Sequence, residues 1–265
     1  MRESTIDAGG LRLHLRRRGS GTPLLVLHGL TDSGACWDRA VDGLAAAFDV
    51  VAPDARGHGA SSRIEHPFST DDLADDAAAV IRASFPGPAA VWGHSMGAAT
   101  AAALAARHPD LVSAVVLEDP PFRPPAPEED GRARADGFRR MLDAVRSAAP
   151  EDRLAVAATM NPAWDAAELP GWVAAKLGFD DAVLDRRVPD GDWRTTVRAI
   201  DAPLLLLMGD PGRGAIVTSE TAAEVAALRP GVTVRRFPGA GHNVRREASG
   251  AVLAAVVPFL RSAAA

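Results

Sequence analysis

The sequence predicts a doubly wound α/β protein, a mostly parallel eight-stranded sheet with a helical cap inserted in it. Three observations predict this. Between residues 23 and 120, short runs that are apolar throughout alternate with helical stretches. The same rhythm returns after residue 203, and the segment between the two blocks follows neither pattern. Runs without polar alternation suit strands covered on both faces, which calls for a parallel sheet with crossover helices.

In order, Leu11, Leu13 and Leu15 alternate with Arg12, His14 and Arg16 after the Gly9-Gly10 turn, so residues 3–18 read as an edge hairpin with one buried face. Strand 24–27 precedes helix 35–47, strand 50–52 precedes helix 71–84, strand 89–92 precedes helix 95–107, and strand 112–117 closes the block. The second block holds strand 204–208, helix 219–229, strand 232–237 and helix 248–261. Between them, Pro120, Pro121, Pro124, Pro125 and Pro127 make a stiff exit from the sheet. The predicted division is a core of residues 1–119 and 195–265 and a cap of residues 120–194. The cap holds Phe122, Phe138, Trp164, Trp172, Phe179 and Trp193, six of the 13 aromatic residues. Phe122, Trp164 and Trp172 are the candidate apolar walls of a substrate pocket, and packing onto the core is the ordinary alternative.

Composition narrows the function. The 265 residues are 47% hydrophobic and 24% charged, with a net charge of -5, which gives no field to hold nucleic acid or an anionic membrane. No apolar run reaches the ~18 residues of a membrane span, and the N-terminal residues lack a signal-peptide pattern, so a cytoplasmic protein acting on a small molecule is expected. Cys36 stands alone, so neither an internal disulfide nor a cysteine-based zinc site is expected. Tyrosine is absent, which removes mechanisms that need a tyrosine acid, and no Gly-Lys-Ser/Thr exists for a P-loop. No metal or organic cofactor is implied.

The chemistry centres on Gly93-His94-Ser95-Met96-Gly97, which follows a strand and opens an Ala-rich helix. That is the context of a nucleophile elbow: glycines allow the sharp turn, and the helix N-terminus favours a developing anion. A serine needs a base from elsewhere in the fold. His242, in the loop Pro238-Gly239-Ala240-Gly241 after the last strand, is the candidate, and His14, His28, His58, His66, His94 and His108 read as structural or surface residues. Arg16-Arg17-Arg18 and Arg245-Arg246 read as solvated charge runs, Asp32 and Ser33 as helix caps, and Trp92 as core.

With these residues the chain resembles the α/β-hydrolase fold superfamily of the Ser-nucleophile type, an esterase or lactonase with a helical cap. The matching pieces are His28-Gly29-Leu30, Asp54 to Ser61, the elbow, Leu204 to Asp210, and Gly239 to His242. The resemblance implies that the amides of Leu30 and Met96 form the oxyanion hole. Epoxide hydrolases and haloalkane dehalogenases of this fold carry Asp at the elbow, so Ser95 argues against both. The usual acid position after the seventh strand falls on Gly212, with Asp210 displaced by two residues. Asp119, at the tip of the sixth strand, is the preferred acid, because adjacent strand tips lie ~5 Å apart. Asp210 is the alternative. The expected function is hydrolysis of a carboxylic ester or lactone of an apolar small molecule through an acyl-enzyme. Its rivals are carbon-carbon bond hydrolysis by the same residues and a receptor-like ligand-binding protein with a slow triad.

Overall fold

A computed structural model describes residues 1–123, 128–188 and 191–262. Its single sheet has the order β1-β2-β4-β3-β5-β6-β7-β8. The edge hairpin is β1 (Arg2–Ala8) and β2 (Leu11–Arg18), and β2 runs antiparallel to β4 (Phe48–Pro53). Every other neighbouring pair is parallel: β3 (Thr22–Leu27) with β4 and β5 (Ala89–His94), β5 with β6 (Val112–Glu118), β6 with β7 (Leu204–Met208), and β7 with β8 (Thr233–Arg236).

The continuous apolar runs are explained by the two faces. Leu25, Leu27, Val51, Val91, Val115, Leu117, Leu204 and Leu206 point into one buried cluster. Their neighbours Leu24, Val26, Val50, Ala90, Trp92, Val116, Leu205 and Leu207 point into another. Successive side chains of a strand leave opposite faces, so a sheet covered twice needs apolar residues at every position. Helices α2 (Thr70–Ser84) and α3 (Met96–Arg107) cover the first face, and α1 (Asp38–Leu44) the second. A reciprocal capping box starts α2: the Asp72 amide donates to Ser69 Oγ, and the Ser69 amide donates to the Asp72 carboxylate.

Where one helix over residues 35–47 was expected, a 3-10 turn at Gly34–Trp37 precedes α1. The cause is a tertiary contact. Asp54 Oδ1, just beyond β4, accepts the Gly34 amide at 2.8 Å and holds the chain against the sheet, and Trp37 is fully buried before the α-helix begins.

Between β6 and β7 the described residues form α4 (Glu128–Ser147), α5 (Arg153–Met160), α6 (Leu169–Gly178), α7 (Ala182–Arg186) and α8 (Trp193–Arg198). Pro124, Pro125 and Pro127 lie outside the described residues. The chain ends with α9 (Ser219–Leu228), the short α10 (Val244–Glu247) and α11 (Ser249–Ser262). No helix among the described residues is long and apolar enough to cross a membrane.

Candidate active site

Three loops meet at the carboxyl ends of the parallel strands β5, β6 and β8, on the side where open α/β sheets place their sites. The first is the turn from β5 into α3. Ser95 sits there at φ 52° and ψ -117°, a conformation that side-chain-bearing residues rarely adopt. Its flanking glycines are required sterically. A Cβ on Gly93 would lie 2.0 Å from the Gly97 carbonyl oxygen, and one on Gly97 would lie 2.2 Å from that of Leu27.

The second is the end of β6. Asp119 is fully buried and also has positive φ, 44°. Its Oδ1 accepts the Val217 amide at 2.9 Å and its Oδ2 accepts the Ile216 amide at 2.8 Å. Oδ2 also lies 2.6 Å from His242 Nδ1. A carboxylate so held fixes the imidazole tautomer, with the proton on Nδ1 and Nε2 left to accept one.

The third is the loop after β8. His94 Nε2–H donates to the His242 carbonyl oxygen at 3.0 Å, and the two rings pack 4.7 Å apart. Burial first, then the neighbouring His242, holds the His94 imidazole well below the usual histidine range. A neutral His94 with its proton on Nε2 leaves Nδ1 bare, and among the described residues that buried atom has no partner. Gly29 lies directly against it: a Cβ there would be 3.0 Å from His94 Nδ1 and 3.5 Å from Ser95 Cβ.

Asp210 stands in other bonds. Its Oδ1 accepts from Arg236 and its Oδ2 accepts the Gly239 amide at 2.7 Å, and these bonds, the amide first, hold its carboxyl below the usual range. It ties the end of β7 to the loop that carries His242.

Leu30 and Met96 pack in one apolar cluster with Leu142, Phe179 and Val183 from the β6–β7 insertion. Phe179 is among the cap aromatics but not among the candidate pocket walls, and nothing in the sequence distinguishes Leu142 and Val183 from ordinary helix core. Phe122 is buried and stacks on Trp193 with ring centroids 4.7 Å apart. Trp164 and Trp172 meet edge to face, and their rings carry the Arg246 guanidinium and the Lys176 ammonium, each 4.4 Å from a ring centroid.

Arg245 and Arg246 are buried, which corrects their reading as a solvated charge run. The Arg245 guanidinium lies over the Trp37 ring and within 3.5 Å of Glu118, and the Arg245 amide donates to Glu118 Oε1 at 2.8 Å. Arg246 pairs with Asp32 at 2.9 Å and with Glu168 at 3.3 Å. Lys176 Nζ is 2.9 Å from the other Asp32 oxygen. Asp32 is therefore no helix cap; two cations hold its carboxyl well below the usual range against the opposing effect of burial. Cys36 lies in the same buried region, with its thiol pushed up to about 11 by burial. A thiol so protonated is a poor nucleophile. Among the described residues, no group of three His, Cys, Asp or Glu is arranged to hold a metal ion.

A mostly parallel sheet carrying a strained serine elbow, with a buried carboxylate at the end of the neighbouring strand and an imidazole brought to it by the loop after β8, defines a hydrolase of the α/β class. The chain belongs to the alpha/beta hydrolase fold family, whose model matches residues 22–245. It is similar to 2-(acetamidomethylene)succinate hydrolase of Mesorhizobium japonicum, 29% identical over 96% of this chain and 94% of that one. It is also 29% identical to N-formylmaleamate deformylase of Pseudomonas putida, over 90% and 89% of the two chains. Among solved structures, the enol-lactonase of Burkholderia xenovorans superposes with a TM-score of 0.74 at 26% identity, covering 97% of this chain and all of that one.

Proposed function

We propose that the protein is a serine hydrolase that opens a small carboxylic ester or lactone through an acyl-enzyme. The observation that carries this is the Asp119–His242 pair, 2.6 Å apart, on the strand end beside the Ser95 elbow. His242 Nε2 takes the Ser95 proton as Oγ attacks the carbonyl carbon, and the carbonyl π electrons move onto oxygen. The Leu30 and Met96 amides hold that oxyanion. Its collapse expels the alkoxide, which takes the proton back from His242, and leaves Ser95 acylated. Water, deprotonated by His242, then attacks the ester, and Ser95 leaves with the returned proton. Asp119 holds the tautomer and stabilises the imidazolium in both halves.

A second reading keeps the residues and changes the bond to an N-acyl link on a carboxylate-bearing molecule. The names of two relatives describe such compounds, with acetamido or N-formyl groups on succinate or maleamate. Arg123 favours it too. Four residues after Asp119, Arg123 is an exposed cation with Arg134 beside it. Among the described residues neither arginine has a carboxylate partner, so an acidic group on a substrate could pair with them.

The test is fluorophosphonate labelling of Ser95, followed by a panel of neutral esters, lactones and N-acyl dicarboxylates. Turnover of the neutral compounds supports the first reading, and selective turnover of the acids supports the second. Binding without labelling or turnover would favour the receptor-like alternative.

A further inference from the structure

The loop from His28 to Asp32, which carries the Leu30 amide, is gripped by side chains that the reaction above does not use. Three consecutive carbonyls in it accept hydrogen bonds from buried side chains. His28 Nε2 accepts the Ala55 amide at 3.0 Å, so its proton sits on Nδ1, which donates to the Gly29 carbonyl oxygen at 2.8 Å. His58 Nε2 lies 2.5 Å from the Leu30 carbonyl oxygen. Lys176 Nζ donates to the Thr31 carbonyl oxygen at 2.9 Å.

A peptide unit is planar, with its C=O and N–H pointing opposite ways. Pinning the Gly29 carbonyl therefore aims the Leu30 N–H, and pinning the next two carbonyls stops the loop from rotating about its own axis. The last two donors come from distant chain. His58 stands in the loop after β4, with its other nitrogen 2.8 Å from the Arg56 carbonyl oxygen and its ring between those of His28 and Phe179. Burial pushes its pKa down to about 4. A neutral ring has one proton for two carbonyls, and the nearer one belongs to Leu30.

Lys176, the one lysine of the chain, comes from α6 in the insertion. Burial lowers its pKa, and Asp32 opposes the shift. An apolar side chain of similar volume could seal this junction without the desolvation of a buried ion pair. It could not donate to Thr31.

We propose that His58 and Lys176 are positioning residues for the oxyanion hole, with Lys176 linking that hole to the seat of the inserted helices. The proposal rests on the oxyanion role of the Leu30 amide given above. It makes the junction between insertion and core part of the catalytic arrangement.

The experiment compares wild type with His58→Leu, His58→Gln and Lys176→Met, using the best substrate of the panel and phenylboronic acid, whose tetrahedral adduct on Ser95 occupies the oxyanion hole. Lys176→Met leaves Asp32 paired with Arg246, and Gln restores a donor near the position of Nε2. His58→Leu and Lys176→Met should lower kcat by about 10- to 100-fold with KM within about twofold, less than the ~10²- to 10³-fold lost when an oxyanion donor is removed outright. The boronate inhibition constant should rise by a similar factor, and His58→Gln should recover most of both. A fall in melting temperature with wild-type kcat and boronate affinity in the folded variants overturns the proposal. If His58→Leu does not fold, Lys176→Met decides by the same readouts, since His58→Gln is expected to resemble the wild type. Failure of the wild type itself to label or turn over would overturn the hydrolase reading and this proposal together, whereas an active wild type matched by its variants overturns the proposal alone.

Discussion

Ser95 and Asp119 leave adjacent parallel strands at the same level, one residue beyond the registered pair His94 and Glu118, with the Ser95 amide donating to the Glu118 carbonyl at 2.9 Å. Among the described residues they are the two non-glycine residues with positive φ. Such conformations cost of order 1–3 kcal/mol each and persist where the surroundings over-determine them. Here the strain coincides with the two strand ends that carry the proposed chemistry.

Replacement of the nucleophile separates activity from strain. Ser95→Ala should lower kcat by at least ~10³-fold in a folded protein. Ser95→Gly should be equally inactive, yet more stable than Ser95→Ala by about 1 kcal/mol, because glycine accepts φ 52° without a Cβ clash. Urea melts of the two variants check this, and equal stabilities would contradict the strain.

Exchange of the acid for its amide distinguishes Asp119 from Asp210. An Asn at 119 must present either an oxygen or an amide to His242 while Ile216 and Val217 still donate toward it. Asp119→Asn should lose on the order of 10⁴ in kcat, and ~1–3 kcal/mol of stability if a buried donor is left facing a donor. Asp210→Asn should stay within about tenfold of wild type, since its bonds to Arg236 and Gly239 act on the His242 loop only at a distance. The reverse ranking in steady-state assays would return the acid to the end of β7.

Acid should destabilise the fold before carboxylates titrate. Burial lowers the pKa of His28, His58 and His94 in the native state, His58 to about 4. Above pH ~6.5 neither the folded nor the unfolded state is protonated at these rings, so they contribute nothing. Between pH ~6.5 and ~4 the unfolded chain binds protons that the native one refuses, and the unfolding free energy falls as pH falls. His58 alone accounts for about 3 kcal/mol over that window, at ~1.4 kcal/mol per pH unit. Chemical denaturation at several pH values should show this slope, and His58→Gln should flatten it.

Truncations within the insertion should divide by location. Trp172→Ala removes a buried ring that carries the Lys176 ammonium, so a stability loss of about 3–5 kcal/mol with little change in substrate ranking is expected. Leu142→Ala and Phe179→Ala, which pack with Leu30 and Met96, should change KM and ranking by ~1–3 kcal/mol. Kinetics across the panel, read beside thermal melts, would reveal the opposite pattern if the tryptophans contact substrate.

Much of this arrangement is legible in the sequence, because local rules govern it. Continuous runs such as Leu24 to Leu27 announce a doubly covered sheet, and the elbow glycines announce the turn at Ser95. The spacing from Ser95 to Asp119 matches one helix and one strand returning to the same edge. What stays hidden depends on partners far apart in the chain. Two adjacent arginines look like a charged surface until Arg246 meets Asp32, 214 residues away, and Glu168, 78 away. The amides of Ile216 and Val217 that cradle Asp119 belong to residues with no polar side chain to advertise them. Nothing local to Trp164 and Trp172 says that Arg246 and Lys176 lie over their rings.

The cradle of Asp119 also bears on the order of assembly. Its carboxylate is bonded to backbone 97 and 98 residues downstream and to an imidazole 123 residues downstream. Contacts of such sequence separation form late, because the chain loses loop entropy before they reward it. Most of the sheet and α2 and α3 can form while the site is still open. During refolding, recovery of activity should therefore lag behind recovery of helical signal, and hydrolysis would report the docking of the C-terminal quarter of the chain.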